Sequence, residues 1–162
     1  MNDFVGQGYG CLDIDMDTEV IELAPGSKNK INPLGPKVCV GAGTGLGECF
    51  LTANSLNPEL GYECFPSEGG HVEYAPRTDL EIKMWMSLKH KFQHLHRISV
   101  ERVVSGKGIA NIYSFLASEF PDKIEQDVHE QFLEAGDLQG KVVGDNVREG
   151  NLCDKAMRIF MG

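Results

Sequence analysis

Four glycines at alternate positions, Gly41, Gly43, Gly45 and Gly47, follow a short apolar run at residues 37–40 and constrain this chain more than any other feature. Glycine combines freedom at positive φ with room for a close backbone approach. The segment Gly-Ala-Gly-Thr-Gly-Leu-Gly after a strand therefore reads as a tight turn whose amides can face an anion. Thr44 adds a hydroxyl donor. No Lys-Ser or Lys-Thr follows, which excludes a Walker loop. The dinucleotide pattern fails as well: counted from Gly41 the sixth residue is Leu46, and counted from Gly43 it is Glu48. Residues 48–54 look like a returning strand, whereas a dinucleotide site needs a helix there. Two readings stay open, a strand-turn-strand phosphate loop and a β-hairpin that binds nothing.

The rest of the chain supports a globular protein. It has 162 residues, 41% of them hydrophobic and 24% charged, enough for one ordinary domain with a core. Fifteen basic against 24 acidic residues leave a formal charge of −9. Nucleic-acid binders cluster Lys and Arg on phosphates, so that class is excluded. No apolar run approaches the roughly 20 residues of a membrane helix, and no secretory signal stands at the start. The five cysteines are scattered without a C-x-x-C pair and read as buried thiols of a reduced chain.

Periodicity predicts short strands first and helices later, an α/β or α+β class. Strands are expected at 19–23, 37–40, 48–54 and 62–66, with a loop at 24–36. A helix is expected over 78–92, with Thr78 as N-cap, Glu81 in a capping box, and Ile82, Trp85, Met86, Lys89 and Phe92 along its apolar face. A turn at 105–108 leads into a second helix over 109–120, and further helices are expected at 124–135 and 152–161. Trp85, Met84 and Met86 read as core residues. His90 and His94, spaced i, i+4, could hold Zn²⁺, but with His96 they read better as surface histidines.

Chemistry-bearing residues gather at the turns: Asn2-Asp3-Phe4, Glu68-Gly69-Gly70-His71, and Glu101-Arg102-Val103-Val104-Ser105-Gly106. Convergent Asp, Glu and Asn groups suit sugar hydroxyls, and phosphoryl transfer to an alcohol needs one carboxylate to accept its proton. Each cluster alone also fits a solvated turn or a helix cap. Taken in order, Asn-Asp-Phe, Gly-Ala-Gly-Thr-Gly-Leu-Gly, Glu-Gly-Gly-His-Val and Glu-Arg-Val-Val-Ser-Gly-x-Gly-Ile-x-Asn-Ile-Tyr resemble the middle of bacterial-type glucokinases. The likeness is strongest over 37–120 and thin beyond 122.

The resemblance implies an α/β chain forming part of an actin-like (ribonuclease H-like) sugar kinase fold, mainly its larger domain, with both ends missing. It implies one partial domain over 1–162: residues 1–12 match the catalytic Asn-Asp segment, 37–120 the core, and 121–162 a helical, incomplete part. It implies transfer of the γ-phosphoryl of ATP, with Mg²⁺, to the 6-hydroxyl of glucose. Asp3 matches the general base. Asn2, Glu68, His71 and Glu101 match sugar contacts, and Gly43, Thr44 and Gly45 match the second phosphate-binding segment. No metal ligand, nucleic-acid partner or membrane partner is implied. A homodimer of the full-length enzyme and a cytoplasmic location, or an organelle in some eukaryotes, fit the same family.

The family's opening Asp-x-Gly-Gly-Thr-Asn loop and its closing glycine-rich adenosine segment have no counterpart in these 162 residues. The expectation is therefore a piece of an enzyme, weak or inactive by itself. The alternative from another class is a truncated paralogue that binds sugar or a partner without catalysis. A nucleotide-cofactor oxidoreductase is disfavoured by the failed dinucleotide pattern.

Overall fold

Burial alternates along Lys37–Ala42, which forms strand β1 and turns one face inward while Val38 and Val40 stay exposed on the other. This computed structural model describes residues 3–24, 26, 32–54, 56 and 61–162. Asn2 lies outside them. Strand β2 runs over Leu46–Ala53 and β3 over Tyr62–Ser67, giving a three-stranded sheet in the order β1-β2-β3. β2 and β3 are antiparallel, with Glu48 opposite Ser67 and Phe50 opposite Phe65, whose rings stack at 5.2 Å.

The chain divides into two compact units: Met1–Gly41 with Gly47–Gly69, and Ala42–Leu46 with Gly70–Gly162. In the first, helix α1 (Asp3–Gly10) packs on β3. Its sequence, with three glycines in eight residues, is a poor intrinsic helix former. Packing makes it helical. Phe4 and Val5 join the small core of Cys49, Leu51 and Cys64. Gly8 is buried so tightly that a Cβ there would lie 2.6 Å from Cys49 Sγ and 2.7 Å from Cys64 Sγ.

Phe4 also explains two of the alternate glycines. A Cβ at Gly41 would come within 2.8 Å of its ring, and one at Gly47 within 1.8 Å. None of the glycines at 41–47 has positive φ; close approach, and not left-handed backbone, is what requires Gly41, Gly45 and Gly47, while a Cβ at Gly43 would meet open space. Gly47→Ala is expected to destabilise the protein by about 1–3 kcal/mol through overpacking. Urea denaturation would measure it, and an unchanged midpoint would show that Phe4 can swing away.

The second unit is helical. α2 (Asp79–Lys91), α3 (Gly106–Glu119), α4 (Gln126–Glu134), α5 (Gln139–Asp145) and α6 (Leu152–Met161) pack around α3. Ile112, Tyr113 and Leu116 of α3 are essentially fully buried, each side chain contributing roughly 1.5–3 kcal/mol of hydrophobic stabilisation. The Tyr113 and Phe132 rings tilt together at 4.6 Å.

Thr78 caps α2 as expected, accepting the Glu81 N–H at 3.2 Å. The buried face of α2 differs from expectation. Glu81, Met84 and Leu88 are inside, while Ile82 and Met86 are exposed. Burying Glu81 is what rotates the helix: its carboxylate accepts the Tyr74 hydroxyl at 2.6 Å, the Arg77 N–H at 3.0 Å and the Thr78 hydroxyl at 3.1 Å. Burial alone would raise its pKa, yet these donors outweigh burial and hold the carboxyl below its ordinary range.

Four other expectations change. Residues 19–23 alternate in sequence but form no strand, and Ile21 and Leu23 are almost fully exposed. The expected turn at 105–108 is the first turn of α3, capped by Ser105. α2 ends at Lys91, so His94 lies beyond the helix and its spacing from His90 is not a helical one. Cys49, Cys64 and Cys153 are buried and Cys39 is half-buried, but Cys11 is exposed, 3.9 Å from Cys39. Helix α5, carrying two glycines in seven residues, is not foreseen by periodicity.

Candidate functional site

The hairpin tip at 42–46 belongs to the helical unit and is fixed there from both sides. On one side Gly43 offers its carbonyl to the Gly106 N–H at 2.7 Å, joining the tip to the first residue of α3. On the other, the Leu46 N–H donates to Glu101 Oε2 at 3.0 Å. Gly45 must be glycine for this contact, because a Cβ would stand 2.6 Å from the same carboxylate oxygen. Thr44 is exposed at the apex. The amides of Thr44 and Gly45 donate to nothing among the described residues, so they are available to an anion.

Glu101 is itself held by the cap of α3. Ser105 is fully buried; its hydroxyl donates to the Glu101 carbonyl at 2.7 Å and accepts the Gly108 N–H at 2.9 Å. Gly108 packs on Val103 with no space for a Cβ, which would fall 2.2 Å from the Val103 carbonyl oxygen. The Ser-Gly-x-Gly sequence therefore serves compact backbone packing at a helix start.

His71 ends a short 3₁₀ turn, Gly69–His71. The residues after it bridge to the segment before Glu101. Tyr74 N–H donates to the Ile98 carbonyl, Val100 N–H donates to the Val72 carbonyl, and Glu73 pairs antiparallel with Ser99. Two residues beyond the bridge on either side, His71 ends its 3₁₀ turn and Glu101 lies in another, Val100–Arg102. Gly70, just before His71, packs against Leu46, where a Cβ would lie 2.6 Å from the carbonyl oxygen. The second unit thus brings Glu101 and the tip Gly43-Thr44-Gly45 to the start of α3, and it also carries His71.

Asp3 and Glu68 belong to the first unit. Asp3 is exposed on the first residue of α1 and accepts the Phe4 N–H at 3.0 Å. Glu68 is exposed between β3 and the 3₁₀ turn. The turn beside it is braced by Glu48, whose carboxylate accepts the Ser67 hydroxyl at 3.1 Å; Ser67 Oγ in turn accepts the Gly69 N–H at 3.1 Å. Glu48 is a structural partner of the site that sequence reasoning missed, and Ser105 and Leu46, quoted within their motifs, prove to brace it. The signal for Glu48 was its position opposite Ser67 across the hairpin of β2 and β3, which requires a register to see.

The family model for glucokinase matches residues 1–162, the whole chain.

The chain belongs to the glucokinase family.

Its relatives include glucokinases of Synechocystis sp., 36% identical over 178 residues covering 100% of this chain and 46% of the relative, and of Nostoc punctiforme, 42% identical over 173 residues covering 99% and 48%. This glucokinase-family chain spans about half the length of the curated relatives it matches. Its fold is similar to the crystal structure of glucokinase from Balamuthia mandrillaris in complex with glucose, with a TM-score of 0.75 and 22% identity over 99% of this chain and 44% of that one. It is also similar to a glucokinase from an Antarctic psychrotroph, with a TM-score of 0.66 and 23% identity over 99% of this chain and 44% of that one. These likenesses agree with the sugar kinase fold expected from the sequence. Among the described residues no helix is long and apolar enough to cross a membrane.

Proposed function

We propose that the protein carrying this chain phosphorylates glucose at its 6-hydroxyl with ATP. Family membership supports the reaction class, and one structural observation supports the division of labour. Glu101, read as a sugar contact, ties one carboxylate oxygen to the backbone of the glycine tip, read as a phosphate contact. A residue shared in this way links the two ends of a phosphoryl transfer.

In this reading Asp3 accepts the proton of the 6-hydroxyl as that oxygen attacks the γ-phosphorus and the bond to the ADP oxygen breaks. Asn2, Glu68, His71 and Glu101 accept and donate hydrogen bonds to the remaining hydroxyls and fix the sugar's orientation. The amides around Thr44 and the Thr44 hydroxyl hold phosphate oxygens. The residues of the tip carry donors and no carboxylate of their own, and the Glu101 carboxylate beside them accepts the Leu46 N–H; this fits a substrate arriving as its Mg²⁺ complex, the ion keeping water ligands. When bound, the ion neutralises charge on the transferring phosphates. A homodimer and a cytoplasmic location rest on family membership alone; sedimentation and cell fractionation test them.

The direct test is a coupled assay for glucose 6-phosphate using the full-length protein with ATP and glucose, mannose or fructose. Turnover fastest on glucose supports the proposal. No ATP-dependent phosphorylation of any of the three sugars overturns it.

A further inference from the structure

Four of the five cysteines stand together in the first unit. Cys11 Sγ lies 3.9 Å from Cys39 Sγ, Cys39 stands beside Cys49, and Cys49 beside Cys64. Exposure falls along the same line: Cys11 is exposed, Cys39 half-buried, and Cys49 and Cys64 are buried. The sulphurs form a row and not a cage. Among the described residues no three His, Cys, Asp or Glu side chains converge to hold a metal ion.

Packing accounts for Cys49 and Cys64, which form the small core with Leu51. It does not account for Cys11, because an exposed thiol gains nothing as a small hydrophobe and stays open to reagents in solvent. Cys11 also has a fixed place. Its N–H donates to the Gln7 carbonyl at 2.9 Å, so it continues the last turn of α1, while Cys39 lies on β1, 28 positions further along the chain. Burial, and then the Cys11 thiol beside it, push the Cys39 thiol up to about 11. Cys39 therefore stays protonated at neutral pH and is the slower of the two toward an oxidant in solvent. An exposed thiol beside a shielded one is the arrangement that oxidises in two steps, the first at the surface and the second between the sulphurs.

We propose that Cys11 and Cys39 form a peroxide-reactive dithiol that closes reversibly to a disulfide joining the end of α1 to β1. The Cys11 sulphur, its proton lost to solvent, attacks one oxygen of hydrogen peroxide. The O–O bond breaks, and the other oxygen leaves as hydroxide and takes up a proton to become water. Cys11 is then a sulfenic acid. The Cys39 sulphur attacks the Cys11 sulphur, the S–O bond breaks, and the hydroxyl leaves with the Cys39 proton as a second water. The two thiols together lose the two electrons that the peroxide gains. The sulphurs need only close from 3.9 Å to the roughly 2.0 Å of a covalent bond. Because α1 also carries Asp3, the tie bears on turnover. That effect rests on the base role proposed for Asp3, whereas formation of the bond does not.

The test treats the full-length protein with hydrogen peroxide and digests it without reductant. A peptide pair linked through Cys11 and Cys39, and released by dithiothreitol, is expected. With it, kcat for glucose is expected to fall about 10-fold and to return on reduction. Cys11→Ser should keep full activity, form no such pair and lose the peroxide response. Cys11 is exposed, so serine is tolerated there, and a matching melting temperature checks the fold. Linkage of Cys39 to Cys49 instead, or oxidation that stops on Cys11 alone, overturns the proposal. A linked pair with turnover unchanged upholds the dithiol and removes its hold on Asp3. If the reduced protein phosphorylates no sugar, the kinase reading fails, and the peptides alone decide the bond.

Discussion

Asp3→Asn is expected to lower kcat for glucose phosphorylation by about a thousandfold, within the usual range for loss of a general base. The substitution keeps the size of the side chain and its acceptor for the Phe4 N–H, now seen at 3.0 Å, so α1 should stay folded. Glucose affinity should change little, because the function proposed for Asp3 is proton acceptance as the new bond forms. Single-turnover phosphorylation and glucose titration, measured on the same preparation of the full-length protein, separate the two effects. A fall in sugar affinity with kcat preserved would make Asp3 a sugar contact and remove it from the role of base.

Glu101→Ala is the second large effect. It deletes the acceptor of the Leu46 N–H, and with it one of the two attachments of the hairpin tip. Displacement by about 1 Å of a segment proposed to hold phosphate can cost a hundredfold in rate. The expected result is a rise in KM for both glucose and ATP, with kcat down by about a hundredfold. Glu101→Gln keeps an oxygen that can accept the Leu46 N–H and should restore the KM for ATP more fully than that for glucose. If Glu101→Ala moved only the glucose parameters, the tip would be held well enough through Gly43 and Gly106.

The same residue shows what could be read from sequence and what could not. The order of the turn clusters pointed to Glu101, His71 and the tip, because motif order survives in one dimension. The bond from Glu101 to Leu46 joins residues 55 apart, and no spacing rule reaches that far. Strands β1, β2 and β3 and helices α2, α3, α4 and α6 were legible because their apolar periods and caps are local. Helix α1 was not, since Gly6, Gly8 and Gly10 argue against a helix until a sheet is there to pack against. The expected strand at 19–23 failed for the opposite reason: alternation specifies a strand only where a neighbour takes its hydrogen bonds. The inward rotation of Glu81 on α2 required three donors that a helical wheel cannot display.

Gly8 has a bearing on Asp3 that neither residue displays alone. The two share one rigid helix and stand five residues apart, about 7.5 Å along its axis. The depth to which that helix settles is set where Gly8 meets the sulphurs of Cys49 and Cys64, 2.6 and 2.7 Å from where a Cβ would be. A side chain there meets those sulphurs, and where they do not turn aside the helix lifts and the carboxylate travels with it as the far end of a lever. The height of the proposed base is thus gauged by two thiols on the sheet below, and a methyl group at residue 8 would act on proton transfer without touching the sugar.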